Sequence, residues 1–167
     1  MAMTTIDRAV PARQVYFHDP EAPPATVVVP AVFVAVRWHR GTLLLVRRCD
    51  SGSWELPGGR IEVGETAVEA AVRRTAREAG VRVQITGLGG LFTDPGLVER
   101  VPSGEVRQPF AVLLRARWLG GVPAGDHAGT SDAAWVAPAD LPGLAMEPSA
   151  RAAIAQALTI GEPPRLD

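Results

Sequence analysis

The spacing of apolar and polar residues changes character several times along the chain, and each change marks an element. Val27 to Trp38 is a β-branched run interrupted only by Pro30, and Thr42 to Arg48 is a second apolar run. His39-Arg40-Gly41 lies between them, so the pattern predicts two strands joined as a hairpin. Ser51-Gly52-Ser53 leads into a short strand, Trp54-Glu55-Leu56, that enters a Pro57-Gly58-Gly59 turn. Near Glu65 or Thr66 the period becomes helical. Val68, Ala71, Val72, Thr75 and Ala79 form the expected buried stripe, and Gly80 forms the C-terminal cap. Val81 to Asp94 and Glu105 to Leu119 read as strands separated by a loop, Pro95 to Gly104, and Phe92 and Phe110 read as core. Gly120 to Thr130 reads as a second loop, Ala133 to Val136 as a short strand, and Pro148 to Leu158 as an Ala-rich helix.

The pattern divides the chain into an N-terminal arm over 1–24, one domain over 25–160 and a frayed tail over 161–167. Pro11, Pro20, Pro23 and Pro24 break any long helix in the arm, while Val15-Tyr16-Phe17 can add an edge strand. Helices interspersed with a mixed set of strands predict an α/β sandwich.

Composition narrows the function. The 167 residues are 47% hydrophobic and 21% charged, as expected for one globular domain with a real core. A net charge of −1 argues against a general nucleic-acid or membrane-surface binder. The chain has no Lys and no Asn, the bias of a GC-rich, for example actinobacterial, genome, and it therefore has no Schiff-base lysine. Cys49 is the only cysteine, so no intrachain disulfide forms. With a single cysteine a reducing cytoplasm is the expected compartment, and neither a signal peptide nor a transmembrane run is expected.

The segment Gly58 to Val81, GGRIEVGETAVEAAVRRTAREAGV, carries the chemistry. It resembles the Nudix box of MutT-like pyrophosphohydrolases, with Gly59, Glu65, Arg73, Glu78, Gly80 and Val81 in register. Three positions depart from that box: Arg74 and Arg77 stand where carboxylates are expected, and Thr75 where an aliphatic is expected. The likeness to a bacterial subgroup extends to His18-Asp19-Pro20, Ser53 to Gly59, Thr93-Asp94-Pro95, Gly104 to Gln108 and Glu147-Pro148-Ser149, with Glu147 where that subgroup usually has His. The resemblance implies an α/β/α sandwich around a mixed sheet. It also implies Mg²⁺-dependent hydrolysis of a nucleoside diphosphate linked to another group, a phosphorylated small-molecule partner and a homodimer. In its terms, Gly59, Glu65 and Glu78 are the metal positions, with Glu65 also supporting the loop.

Arg74, Arg77 and Glu78 are spaced i, i+3 and i+4, on one helix face. Replacing two carboxylates by guanidinium changes the local charge from about −3 to about +1. At an effective dielectric of about 20, unit charges about 4 Å apart interact by about 4 kcal/mol, so a dication meets repulsion there. Three readings stay open. Arg74 and Glu78 can form a solvated surface pair with Arg77 exposed beside them. Arg73, Arg74, Arg77 and Arg107 can instead hold phosphate through bidentate forks, Glu78 or Glu105 serving as base. Or Glu105, Asp126 or Asp132 can rebuild a metal site. Glu69, four residues before Arg73, reads as an exposed ion pair. Trp54 is either core or a stacking platform for substrate. The functional classes are a hydrolase with an altered metal site, a non-hydrolytic phosphate-ligand module, and a retooled enzyme of specialised metabolism.

Overall fold

The computed structural model describes residues 12–159 and 165–166, so Met1 to Pro11 of the expected arm, and 160–164 and 167 near the other end, lie outside it. Strands β1 (Gln14–Phe17), β2 (Val27–Arg37), β3 (Leu43–Arg48), β4 (Trp54–Glu55) and β5 (Gly58–Arg60) precede helix α1 (Ala67–Ala79). Then come β6 (Arg82–Phe92), β7 (Leu97–Arg100), β8 (Val106–Gly120), β9 (Thr130–Val136), helix α2 (Pro148–Leu158) and β10 (Arg165–Leu166).

The sheet runs β1-β7-β8-β2-β3-β4, with β6 also on β8, β5 on β2, β9 on β3 and β10 on β6. It is mixed, because β2 and β8 lie parallel from Val27↔Arg107 to Arg37↔Arg117 while β6 and β7 run antiparallel to β8. Strand alternation sorts β2 between two cores. Val32, Val34 and Val36 pack with Ala70, Ala71 and Ala79 of α1, whereas Ala35 packs with Leu113 and with Ala153, Ile154 and Ala157 of α2. One helix on each side of the sheet makes the expected α/β/α sandwich. Each fully buried Leu or Val in these cores is worth about 1.5–3 kcal/mol over its exposed state. Among the described residues no helix is long and apolar enough to cross a membrane.

Six expectations change. β2 and β3 share a single pair, Arg37↔Leu43, because β8 and β5 occupy β2's flanks and β3 turns away to β9 and β4. The segment read as the loop Pro95 to Gly104 contains β7, which ties β1 to β8. In the tail, Arg165 and Leu166 pair in parallel with Gly90 and Leu91 instead of fraying. Phe92 packs on the α2-side core, but Phe110 is 42% exposed.

The buried stripe of α1 is also rotated. Its buried residues are Ala70, Ala71, Thr75, Glu78 and Ala79, while Val68 and Val72 face solvent. The ends follow the sequence rules: Thr66 caps the N-terminus in a reciprocal box with Glu69, and Gly80 takes the left-handed conformation at φ 66°. Glu69 is therefore committed to Thr66, and Arg73 pairs with Glu65 instead.

Candidate functional site

A cleft of about 250 Å³ opens where β2, β5, α1 and the arm meet. Alternate residues of β2, Val29, Ala31 and Phe33, line it together with Arg107 and Pro109 of β8. The parallel register places Val29 opposite Pro109 and Val27 opposite Arg107. One wall is β5, which pairs with β2 so closely that a β-carbon on Gly58 would meet the Val32 carbonyl at 2.1 Å. Only glycine fits there.

Helix α1 supplies Arg74 and Glu78. The Gly58 amide donates to Glu78 Oε2 at 3.1 Å, and Arg74 Nη1 donates to Oε1 at 3.4 Å. Burial raises the Glu78 pKa, opposed by the Gly58 amide and by Arg74 and Arg48. Arg74 Nη2 also donates to the Arg60 carbonyl at 3.1 Å and lies 3.7 Å from Glu62. The guanidinium therefore fastens the β5 turn to the helix.

The opposite wall is an ion-pair network. Glu99 and Arg107 are cross-strand neighbours on β7 and β8, and Arg107 Nε donates to Glu99 Oε2 at 3.2 Å. Arg13 enters from the arm and donates to Glu99 Oε1 at 3.2 Å and to Glu55 Oε2 at 2.9 Å. Burial would lower the Arg13 pKa, but Glu55 and Glu99 outweigh it and raise it. Arg48 lies 3.6 Å from Glu55 Oε1. Among the described residues, the buried side-chain N and O atoms lacking a hydrogen-bond partner are Nε of Arg13 and Nε of Arg74. Both residues line this cleft.

The structure thus brings together Gly59, Arg74, Glu78 and Arg107 and separates the remaining sequence candidates. Arg77 is 64% exposed, 3.8 Å from Asp126 and away from the cleft. Glu65 is bound to Arg73 through both nitrogens of its fork, which with the Glu62 amide holds its carboxyl at about 2. Glu105 is exposed in the turn before β8, outside the cleft. Trp54 packs on the α2-side core, not over the cleft. Asp126 closes its own loop: burial would raise its pKa, but the Thr130, Ala128 and Gly129 amides outweigh that and hold it at about 2. Asp132 is exposed on β9. Arg13, Glu55 and Glu99 were not singled out by the sequence reading, since they meet across 42 and 86 residues of chain.

A divalent ion needs several hard oxygens with spare lone pairs. Among the described residues no three His, Cys, Asp or Glu side chains group to hold one. Glu78, the carboxylate that α1 sends into the cleft, is already shared between an amide and a guanidinium 3.4 Å away. The donor set does not fit a divalent ion. It fits an anion.

A family model described as NUDIX domain matches residues 27–158, and the chain belongs to that family. It is 39% identical over 85 residues to a MutT-like protein of Streptomyces ambofaciens, covering 47% of this chain and 55% of that protein. It is 34% identical over 90 residues to an ADP-ribose pyrophosphatase of Methanocaldococcus jannaschii, covering 52% of this chain and 50% of that one. The chain therefore spans about half the length of these two relatives. The crystal structure of an ADP-ribose pyrophosphatase from Streptococcus suis superposes with a TM-score of 0.66 at 21% identity, covering 83% of this chain and 98% of that chain. That likeness establishes the fold. Of the two curated relatives, the second is named for an activity and the first is not.

Proposed function

We propose that this NUDIX domain binds a diphosphate-containing small molecule in the cleft through its arginines, and that the metal-assisted hydrolysis usual in the family is weakened or lost. The observation that carries this reading is Arg74, which sits against Gly59, Arg60 and Glu78 on the helix face where the resemblance implies a carboxylate. Five arginines (Arg13, Arg48, Arg60, Arg74 and Arg107) line the cleft against three glutamates (Glu55, Glu78 and Glu99), a net charge of +2. Guanidinium forks suit clustered phosphate oxygens, and all five of these arginines line the cleft. Such a site neutralises and orients a diphosphate. Glu78, buried with a raised pKa, is the cleft's candidate base for a water.

Calorimetric titration of inorganic pyrophosphate in EDTA tests the binding. Mg²⁺-dependent phosphate release from a panel of nucleoside diphosphate derivatives, for the native chain and for Arg74→Glu with Arg77→Glu, tests the chemistry. The expected result is metal-free pyrophosphate binding, with native turnover at least about tenfold below that of the double variant, about 1.4 kcal/mol in barrier. Strong native turnover abolished by Glu78→Gln would overturn the reading.

A further inference from the structure

Beside the cleft lies a second cavity, and the two share Arg13, Phe33, Glu55 and Glu99 in their walls. Its volume is about 60 Å³ against about 250 Å³ for the cleft. The arm builds one side of it. Alternation along β1 sends Val15 and Phe17 the same way, with Arg13 lining the cavity just before the strand, and the antiparallel register sets Val15 against Glu99 and Phe17 against Leu97. Leu56 and Phe92, with Ala150, Ala152 and Ala153 of α2, add apolar lining, and Asp94, Glu147 and Ser149 add polar groups.

Charge is segregated across the shared wall. Arg48, Arg60, Arg74 and Arg107 line the cleft alone, and the second cavity has Arg13 as its single cationic lining residue. Its carboxylates are engaged or peripheral to an anion. Glu55 and Glu99 are held by Arg13, while Asp94 accepts from His18 at 2.7 Å and from the Gly96 amide at 2.8 Å. Glu147, the N-cap of α2, makes no capping bond through its side chain. A second phosphate would meet these acids without a matching set of arginines.

Building on the reading above, we propose that the bound molecule is a diphosphate ester of a short hydrocarbon alcohol. Its phosphates lie among the arginines, its chain crosses over Phe33 beside Arg13, and its aliphatic end fills the cavity between Phe17, Leu56 and Phe92. A nucleoside would bring ribose hydroxyls and the polar edge of a base into this space, where Asp94, Glu147 and Ser149 are the polar lining residues beyond the Arg13 network. Its polar groups that face the apolar remainder would be buried at a cost in affinity. A hydrocarbon asks for no such partner. It gains from leaving water.

The test is calorimetry on the full chain in EDTA with three probes: inorganic pyrophosphate, 3-methylbut-2-enyl diphosphate and ADP. The five-carbon ester is expected to bind at least about tenfold more tightly than pyrophosphate, given a factor of about three to four per buried methylene, and more tightly than ADP. Ala150→Phe, which fills the cavity from the half-buried face of α2, is expected to bring the ratio of ester to pyrophosphate affinity close to one. Phe17→Ala, on the edge strand, is expected to lower the same ratio without filling the cavity, and pyrophosphate binding reports that either variant has folded. An ester that binds no more tightly than pyrophosphate, or less tightly than ADP, overturns the hydrocarbon assignment and leaves the anion cleft standing. If pyrophosphate and ester both fail to bind, the anion cleft itself falls and takes this assignment with it.

Discussion

Arg74 lies against Gly59 so closely that a β-carbon on that glycine would sit 3.2 Å from Arg74 Cζ. Gly59 also has φ 134°, a region that L side chains rarely adopt. Gly59→Ala is therefore expected to cost about 1–3 kcal/mol in urea denaturation and to weaken pyrophosphate binding by displacing the guanidinium. Unchanged stability and unchanged affinity together would show that the turn is not held as described.

Thr130 is fully buried, and its hydroxyl donates to the Glu78 carbonyl at 2.7 Å and also receives the Asp126 amide at 3.1 Å. Thr130→Val keeps the shape but removes both bonds. The expected loss is about 1–3 kcal/mol, read from the denaturant midpoint. A loss below about 0.5 kcal/mol would mean that water replaces the hydroxyl.

Glu65 and Glu78 carry pH dependences of opposite sign. The Glu65 carboxyl is held at about 2, below the ordinary glutamate value of about 4.3. Its stabilisation is present above that ordinary value and is lost as pH falls towards 2. Glu65→Gln should accordingly be less stable than the native chain at neutral pH and converge with it in acid. Burial raises Glu78, so its contribution is favourable below the ordinary value and disappears as pH rises through the raised one. Relative to the native chain, Glu78→Gln should gain as pH climbs from about 3 to about 8. Parallel pH profiles for the two variants would contradict both assignments.

The two arginines at the edges of the candidate set should behave differently. Arg77 is 64% exposed, with Asp126 at 3.8 Å, and Arg77→Ala should change stability by no more than about 0.5 kcal/mol. Arg13→Ala removes the donor shared by Glu55 and Glu99, and should cost about 1.5–3 kcal/mol and weaken pyrophosphate binding. Equal effects of the two substitutions would remove Arg13 from the cleft's framework.

The helix, its caps and the Gly58-Gly59 turn were legible because their signals are local: Thr66 with Glu69, Gly80 at the end, and fixed spacing back to the glycines. The same spacing led to Arg74 and Glu78. It also misplaced the buried stripe, because hydrophobicity alone selects Val68 and Val72, whereas Glu78 is drawn inward by the Gly58 amide and Arg74. The β2–β3 pairing failed for a different reason. A strand's neighbours are set by competition for its edges, and β8 lies far along the chain from β2. Arg13 was hidden altogether, since nothing near it in sequence hints at Glu55 or Glu99. Phe17 was legible only as an aromatic of the arm, and its cavity required β7, which had been read as loop.

The family match begins at residue 27, after β1 has ended at Phe17. A protein trimmed to that match would retain α1, the glycine turn and Arg74, yet Glu55 and Glu99 would share one wall without the cation between them. The hydrocarbon lining from Val15 and Phe17 would vanish with the same cut. If the proposed hydrocarbon assignment holds, selectivity in this molecule depends on a short segment that precedes the recognisable domain.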